Sequence, residues 1–282
     1  MHQNVPINSF IEFLMGWDFT GIQSTIFIIY LSVFVIGSIK FYSKSKNKSC
    51  YFKKIFSGLL GCSIMVIALS GPLDYYSSEI FSAHMLQHIF IAMVAIPILL
   101  ISNPMPLILW AFPKYIRYGI GTGLNKKGII RIFLNFATKP KIALPLFIIT
   151  LWGWHFPDAY NASLNNEFIH FIMHISMIIS GLFFWWPITG APPIRTSMTY
   201  PQKLLYLLII ITPTAALAAI ITLSNTIIYT GYINSPDHFG INTFEDQRIG
   251  GLLMWIPGNL IYLISITIIF FKWFFSEEKK FK

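Results

Sequence analysis

Long apolar runs recur along nearly the whole chain, and short segments holding most of its charge separate them. The runs fall near residues 22–42, 55–73, 84–101, 142–156, 168–187, 204–223 and 249–271. Several approach the roughly 20 residues that a helix needs to cross a bilayer, while the fourth is short. The pattern predicts an all-α polytopic membrane protein, a bundle of about seven transmembrane helices. No linker or compositional break divides it, so residues 1–282 read as one domain.

Charge sets the expected orientation. Lys44, Lys46, Lys48, Lys53 and Lys54 lie between the first two runs. Lys114, Arg117, Lys126, Lys127, Arg131, Lys139 and Lys141 lie between the third and fourth, and Arg195 and Lys203 between the fifth and sixth. Lys272, Lys279, Lys280 and Lys282 follow the seventh. The alternate segments hold none except Arg248. Basic residues accumulate on the cytoplasmic side, which puts the N-terminus outside and the C-terminus inside. All eleven acids except Glu277 and Glu278 fall on the outer side.

Composition agrees: 55% of residues are hydrophobic and only 11% charged, about half the charged fraction of a soluble domain. The net charge of +9 therefore reflects loop anchoring at a lipid bilayer and gives no reason to invoke nucleic acid. Met1–Gly21 has no Lys or Arg and lacks the basic start of a cleavable signal. Cys50 and Cys62 form no metal-type spacing, and the expected topology separates them, which argues against a disulfide.

The candidate chemistry is imidazole. His84 and His88 open the third run four residues apart, on one helical face. His170 and His174 repeat that spacing at the start of the fifth, and His155 closes the fourth. All five fall near the outer surface in the expected topology. Two matched pairs on rigid helices make a natural transition-metal site, with His84, His88, His170 and His174 converging and His155 at the edge. Met173 and Met177 continue the stripe of His170 and His174. Thioether beside imidazole favours copper, with zinc possible. A bland alternative for any one of these histidines is a headgroup-level residue bonded to water.

Asp246 and Gln247 precede Gly250-Gly251 at the outer end of the seventh run. Asp246 is expected either to cap its own helix or to accept a ring N–H from a ligand histidine. The two glycines allow a neighbouring helix to pack close. Trp185-Trp186-Pro187 reads as an interfacial aromatic anchor. Asn103-Pro104-Met105-Pro106 ends the third helix. His2 and His238 receive no role. No nucleophile elbow, phosphate loop, HExxH or dinucleotide fingerprint is present, so no catalytic residue is assigned.

Four strings carry a family resemblance: His84-Met85-Leu86-Gln87-His88, His170-Phe171-Ile172-Met173-His174, Phe184-Trp185-Trp186-Pro187, and Asp246-Gln247-Arg248-Ile249-Gly250-Gly251-Leu252-Leu253-Met254-Trp255. With them in this order, the chain resembles the CtaG-type cytochrome c oxidase assembly factors over about residues 70–270. Ser102-Asn103-Pro104 stands where that family has a Gly-Ala-Pro-like segment, far from the histidines. The resemblance implies a multi-pass protein of the bacterial cell membrane that matures a haem–copper oxidase. Its partners would be oxidase subunits and a copper donor protein. Two other classes stay open: a seven-helix zinc-dependent membrane hydrolase, and a haem b electron carrier with axial histidines.

Overall fold

The computed structural model describes residues 6–125, 128–194 and 198–280. Lys126, Lys127, Arg195 and Lys282 of the basic count, and His2, lie outside them. The described residues form helices and no strands. Six helices are long and apolar enough to span a bilayer: α1 (Ile22–Lys44), α2 (Lys48–Ser70, extended by a turn at Pro72–Tyr75), α3 (Phe81–Ser102), α5 (Glu167–Thr189), α6 (Tyr200–Leu223) and α7 (Thr243–Glu278). The short fourth run becomes α4 (Pro140–His155), which meets the preceding helix Ile129–Ala137 at 70°. Counting that bent pair as one span gives seven. The protein is a multi-pass membrane protein.

Local chemistry accounts for the boundaries. Asn47 and Asn166 cap α2 and α5 by accepting backbone N–H groups. The third helix stops where expected. Asn103 takes a left-handed conformation (φ 54°), and Pro104 starts a new short helix, Pro104–Leu109. The α3 helix is the centre of the bundle: 61% of its apolar window is buried, against 22% for α1 and α7. It packs against α2, α5 and the first half of α7.

Two spans are not regular. Phe90–Ala95 in α3 and Met254–Gly258 in α7 are wide π-type turns. Each has a proline beside or within it, Pro97 and Pro257. A proline donates no N–H and crowds the carbonyl four residues back, so the backbone widens around it. Bilayer-embedded carbonyls released by such a turn need partners from elsewhere. The Trp185 indole donates to the Ala92 carbonyl at 2.9 Å. The Asn259 amide donates to the Trp255 carbonyl at 2.8 Å, while its oxygen accepts from Thr214 at 3.0 Å. This corrects the reading of Trp185 as an interfacial anchor: it is buried in the core, where the wide turn recruits its N–H.

The expected close approach at Gly250-Gly251 is present. A Cβ on Gly250 would collide with the Phe81 ring, and one on Gly251 with Thr222 Oγ1. Helix α7 thus lies directly against the histidine-bearing start of α3 and the end of α6. At the same end, His238 Nε2 pairs with Glu79 at 3.2 Å, and its Nδ1 accepts from the Ile7 backbone at 3.2 Å. That tie fastens the N-terminal segment across this end of the bundle.

Candidate metal centre

His84 and His88 sit in the first turns of α3, His170 and His174 in the first turns of α5, and His155 is the last residue of α4. Helix packing brings the two pairs face to face. Ring centroids are 4.4 Å apart for His84–His88, 4.3 Å for His170–His174, 5.3 Å for His84–His170, 5.6 Å for His88–His174 and 6.2 Å for His84–His174. With metal–nitrogen bonds of about 2 Å, two imidazoles sharing one ion place their centroids roughly 5–6 Å apart. Ligand atoms of His84, His88 and His174 all lie within 4.8 Å of one another. His155 is at the margin, 6.1 Å from His88 between centroids.

The ring proton of three of these histidines can be assigned from neighbours that can only accept. Tyr232 donates its one hydroxyl proton to the Ser77 carbonyl at 2.7 Å. Its oxygen therefore accepts from Tyr160, 2.9 Å away. With the Tyr160 proton so used, His84 Nδ1, at 2.8 Å, must carry hydrogen and donate to Tyr160. Burial pushes the pKa of both tyrosines well above the ordinary value, so both keep their protons.

The same logic covers two more rings. His174 Nδ1 is 2.6 Å from Gln23 Oε1, and the orientation of that amide is fixed because its Nε2 donates to the Asp74 carboxylate at 2.7 Å. His155 Nδ1 is 2.6 Å from the Leu151 carbonyl. Three imidazoles are thus held with hydrogen on Nδ1 and a lone pair on Nε2. Partners of this kind orient ring ligands and raise their basicity.

The Nε2 atoms of His84, His155, His170 and His174, and both ring nitrogens of His88, are buried with no hydrogen-bond partner. Unpaired imidazole nitrogen is costly inside a bilayer, and here the unpaired nitrogens lie buried close to one another. A borderline transition-metal ion suits this donor set, since each orphaned lone pair would become a bond.

Of the supporting residues expected from sequence, Asp246 does not touch an imidazole. Its carboxylate accepts the backbone N–H of Phe81 at 2.6 Å and of Ser82 at 3.2 Å. It caps the start of α3, and so positions His84 and His88 through the backbone, while Asn242 caps α7 itself. Gln247 accepts from the Ile228 backbone at 2.7 Å and holds the loop in which Tyr229 donates to the His155 carbonyl at 3.1 Å. Met173 is fully buried, and Met177 faces a cavity shared with His88 and His155.

Five further residues emerge only in three dimensions: Gln23, Asp74, Gln87, Tyr160 and Tyr232. Asp74 accepts from both Gln23 and Gln87 at 2.7 Å, and its carboxylate groups with His170 and His174 within 4.8 Å. Gln87 is visible inside the string containing His84 and His88, but nothing in the sequence ties it to Asp74 in a different helix. Tyr160 comes from the short helix Pro157–Asn165 and Tyr232 from the single 3-10 turn Thr230–Tyr232, both too short for periodicity to mark them.

The family model described as cytochrome c oxidase caa3 assembly factor (Caa3_CtaG) matches residues 34–276. An uncharacterised protein of Mycobacterium bovis is 25% identical over 229 residues, covering 78% of this chain and 34% of that protein. A protein of Mycobacterium tuberculosis matches to the same extent. An uncharacterised protein of Mycobacterium leprae is 23% identical over 272 residues, covering 93% of this chain and 40% of its own length. The chain therefore spans between about a third and two fifths of these curated relatives. No solved structure matches it.

Proposed function

The chain belongs to the cytochrome c oxidase caa3 assembly factor family, and from that premise we propose that it holds copper in its histidine cluster for loading into a haem–copper oxidase. The observation that carries this reading is the set of buried, unpaired Nε2 atoms on His84, His170 and His174, joined by His88. Imidazole ligation suits both copper and zinc; the methionines adjoining the cluster tilt the choice toward copper. In this reading the cluster faces outward in a bacterial cell membrane, as the alternation of basic segments implies. It would receive copper from a donor protein there and pass it to an oxidase subunit.

Deleting the protein is expected to leave oxidase subunits made and inserted, yet without cytochrome c oxidase activity. Quinol oxidase that contains haem but no copper should be untouched. His84→Ala or His174→Ala should reproduce the loss, with the variant protein at normal abundance in the membrane and purified without copper. Fully normal cytochrome c oxidase activity in the deletion strain under copper limitation would overturn the assignment. One observation favours a zinc hydrolase as second reading: Asp74 offers a carboxylate beside His170 and His174, the acid–base group that such an enzyme needs near its metal. Zinc in place of copper in the purified protein, with hydrolysis of a lipid amide or ester, would select it.

A further inference from the structure

Beneath the histidine cluster lies a cavity of about 40 Å³, room for roughly one ion or water. Four of the ten methionines line it, Met85, Met93, Met177 and Met254, together with His88 and His155. Met93 and Met254 come from the two wide turns of α3 and α7, so the irregular backbone of both spans borders this space. Ser180, also in the lining, is about 20 Å along α5 from its first residue. The cavity therefore reaches toward the middle of the bilayer, below the level of His170 and His174.

The polar groups around it differ sharply in satisfaction. Thr150 and Ser180 donate back to carbonyls of their own helices, and the Thr214 hydroxyl has both the Ile210 carbonyl and Asn259 Oδ1 as acceptors. His88 has neither nitrogen paired, and His155 Nε2 is unpaired; both rings are 5% exposed. The Tyr262 hydroxyl is the other unpaired group in the lining among the described residues. A dry apolar cavity lined by aliphatic residues would need no explanation. This one combines thioethers with imidazole lone pairs that nothing else engages, a donor set matched to soft monovalent ions.

We infer that this cavity is a second, sulfur-rich metal position for Cu(I), distinct from the histidine cluster above it. The inference rests on the copper reading of that cluster. His88 borders both positions, which makes it the link along which an ion exchanges imidazole for thioether ligands. No redox step is involved, since a Cu(I) ion changes ligands without changing charge.

The test uses the full chain purified in detergent and titrated with Ag(I), which mimics Cu(I) without redox chemistry. The wild type is expected to bind two ions, with sulfur and nitrogen both present in the silver X-ray absorption spectrum. The variant Met85→Leu/Met177→Leu/Met254→Leu preserves side-chain volume and should bind one ion, ligated by nitrogen alone. Its retained nitrogen-bound ion reports that the fold is intact. The variant His84→Ala/His174→Ala should keep the sulfur-bound ion and lose the other. Two ions and an unchanged spectrum in the methionine variant, or no sulfur signal in the wild type, would overturn the second position. If the methionine variant loses its sulfur-bound ion but the histidine variant loses nothing, the cavity stands and the cluster assignment falls.

Discussion

Tyr232 and Tyr160 touch the same nitrogen of His84, at 3.1 and 2.8 Å, but removing their hydroxyls should have unequal effects. Without the Tyr160 hydroxyl, Tyr232 still accepts from Nδ1 while donating to Ser77. Without the Tyr232 hydroxyl, the Tyr160 proton keeps one hydrogen-bond partner among the described residues, His84 Nδ1. It would displace the ring hydrogen to Nε2 and block the ligand atom. Tyr232→Phe should therefore weaken metal binding by about 10–100-fold, the usual range for lost outer partners, and Tyr160→Phe by clearly less. Chelator competition on the purified proteins measures both. Equal losses would contradict the proton assignment. The ligand histidines are readable as two i, i+4 pairs because helical spacing alone places each pair on one face. The tyrosines are not, since their role depends on a loop carbonyl, Ser77, that has no side-chain signature.

Along the helices, the Gly250-Gly251 contact lends itself to a graded test. At Gly251 a Cβ would meet Thr222 backbone nitrogen at 2.8 Å as well as its hydroxyl, and backbone cannot step aside. Gly251→Ala is expected to cost about 1–3 kcal/mol, the range for overpacking a tight interface. At Gly153 in α4 an added methyl group would meet nothing within 4 Å, so Gly153→Ala should be neutral or stabilise by up to about 1 kcal/mol. Thermal unfolding in one detergent compares them. The glycine pair is legible in the sequence because two adjacent glycines in a span imply close packing. The span limits are legible for a similar reason, with α2, α6 and α7 starting several residues before their apolar runs. The wide turns are not, although Pro97 and Pro257 stand in plain view. Proline marks where a helix is disturbed, while the neighbours that bond the freed carbonyls decide whether it kinks, ends or widens.

For the whole molecule, orientation is the property on which the delivery reading depends. Reporter fusions after Lys54 and Lys141 should signal cytoplasm, and a fusion after Glu79 should signal the outside. An outside signal at Lys141 would move the histidines to the wrong side for the proposed hand-over. The wide turn at Phe90–Ala95 carries a different consequence for the assembled bundle. It stores one residue of slack in the span that holds His84 and His88. Removing a residue there with the proline, as in deletion of Val94 combined with Pro97→Ala, converts the turn to ordinary helix and leaves the segments on either side in phase. Adding one residue at the same place finds the slack already used. It would swing the upper segment by about 100° about its axis. The deletion should keep its bound metal and the insertion should lose it, so this span tolerates shortening where it does not tolerate growth.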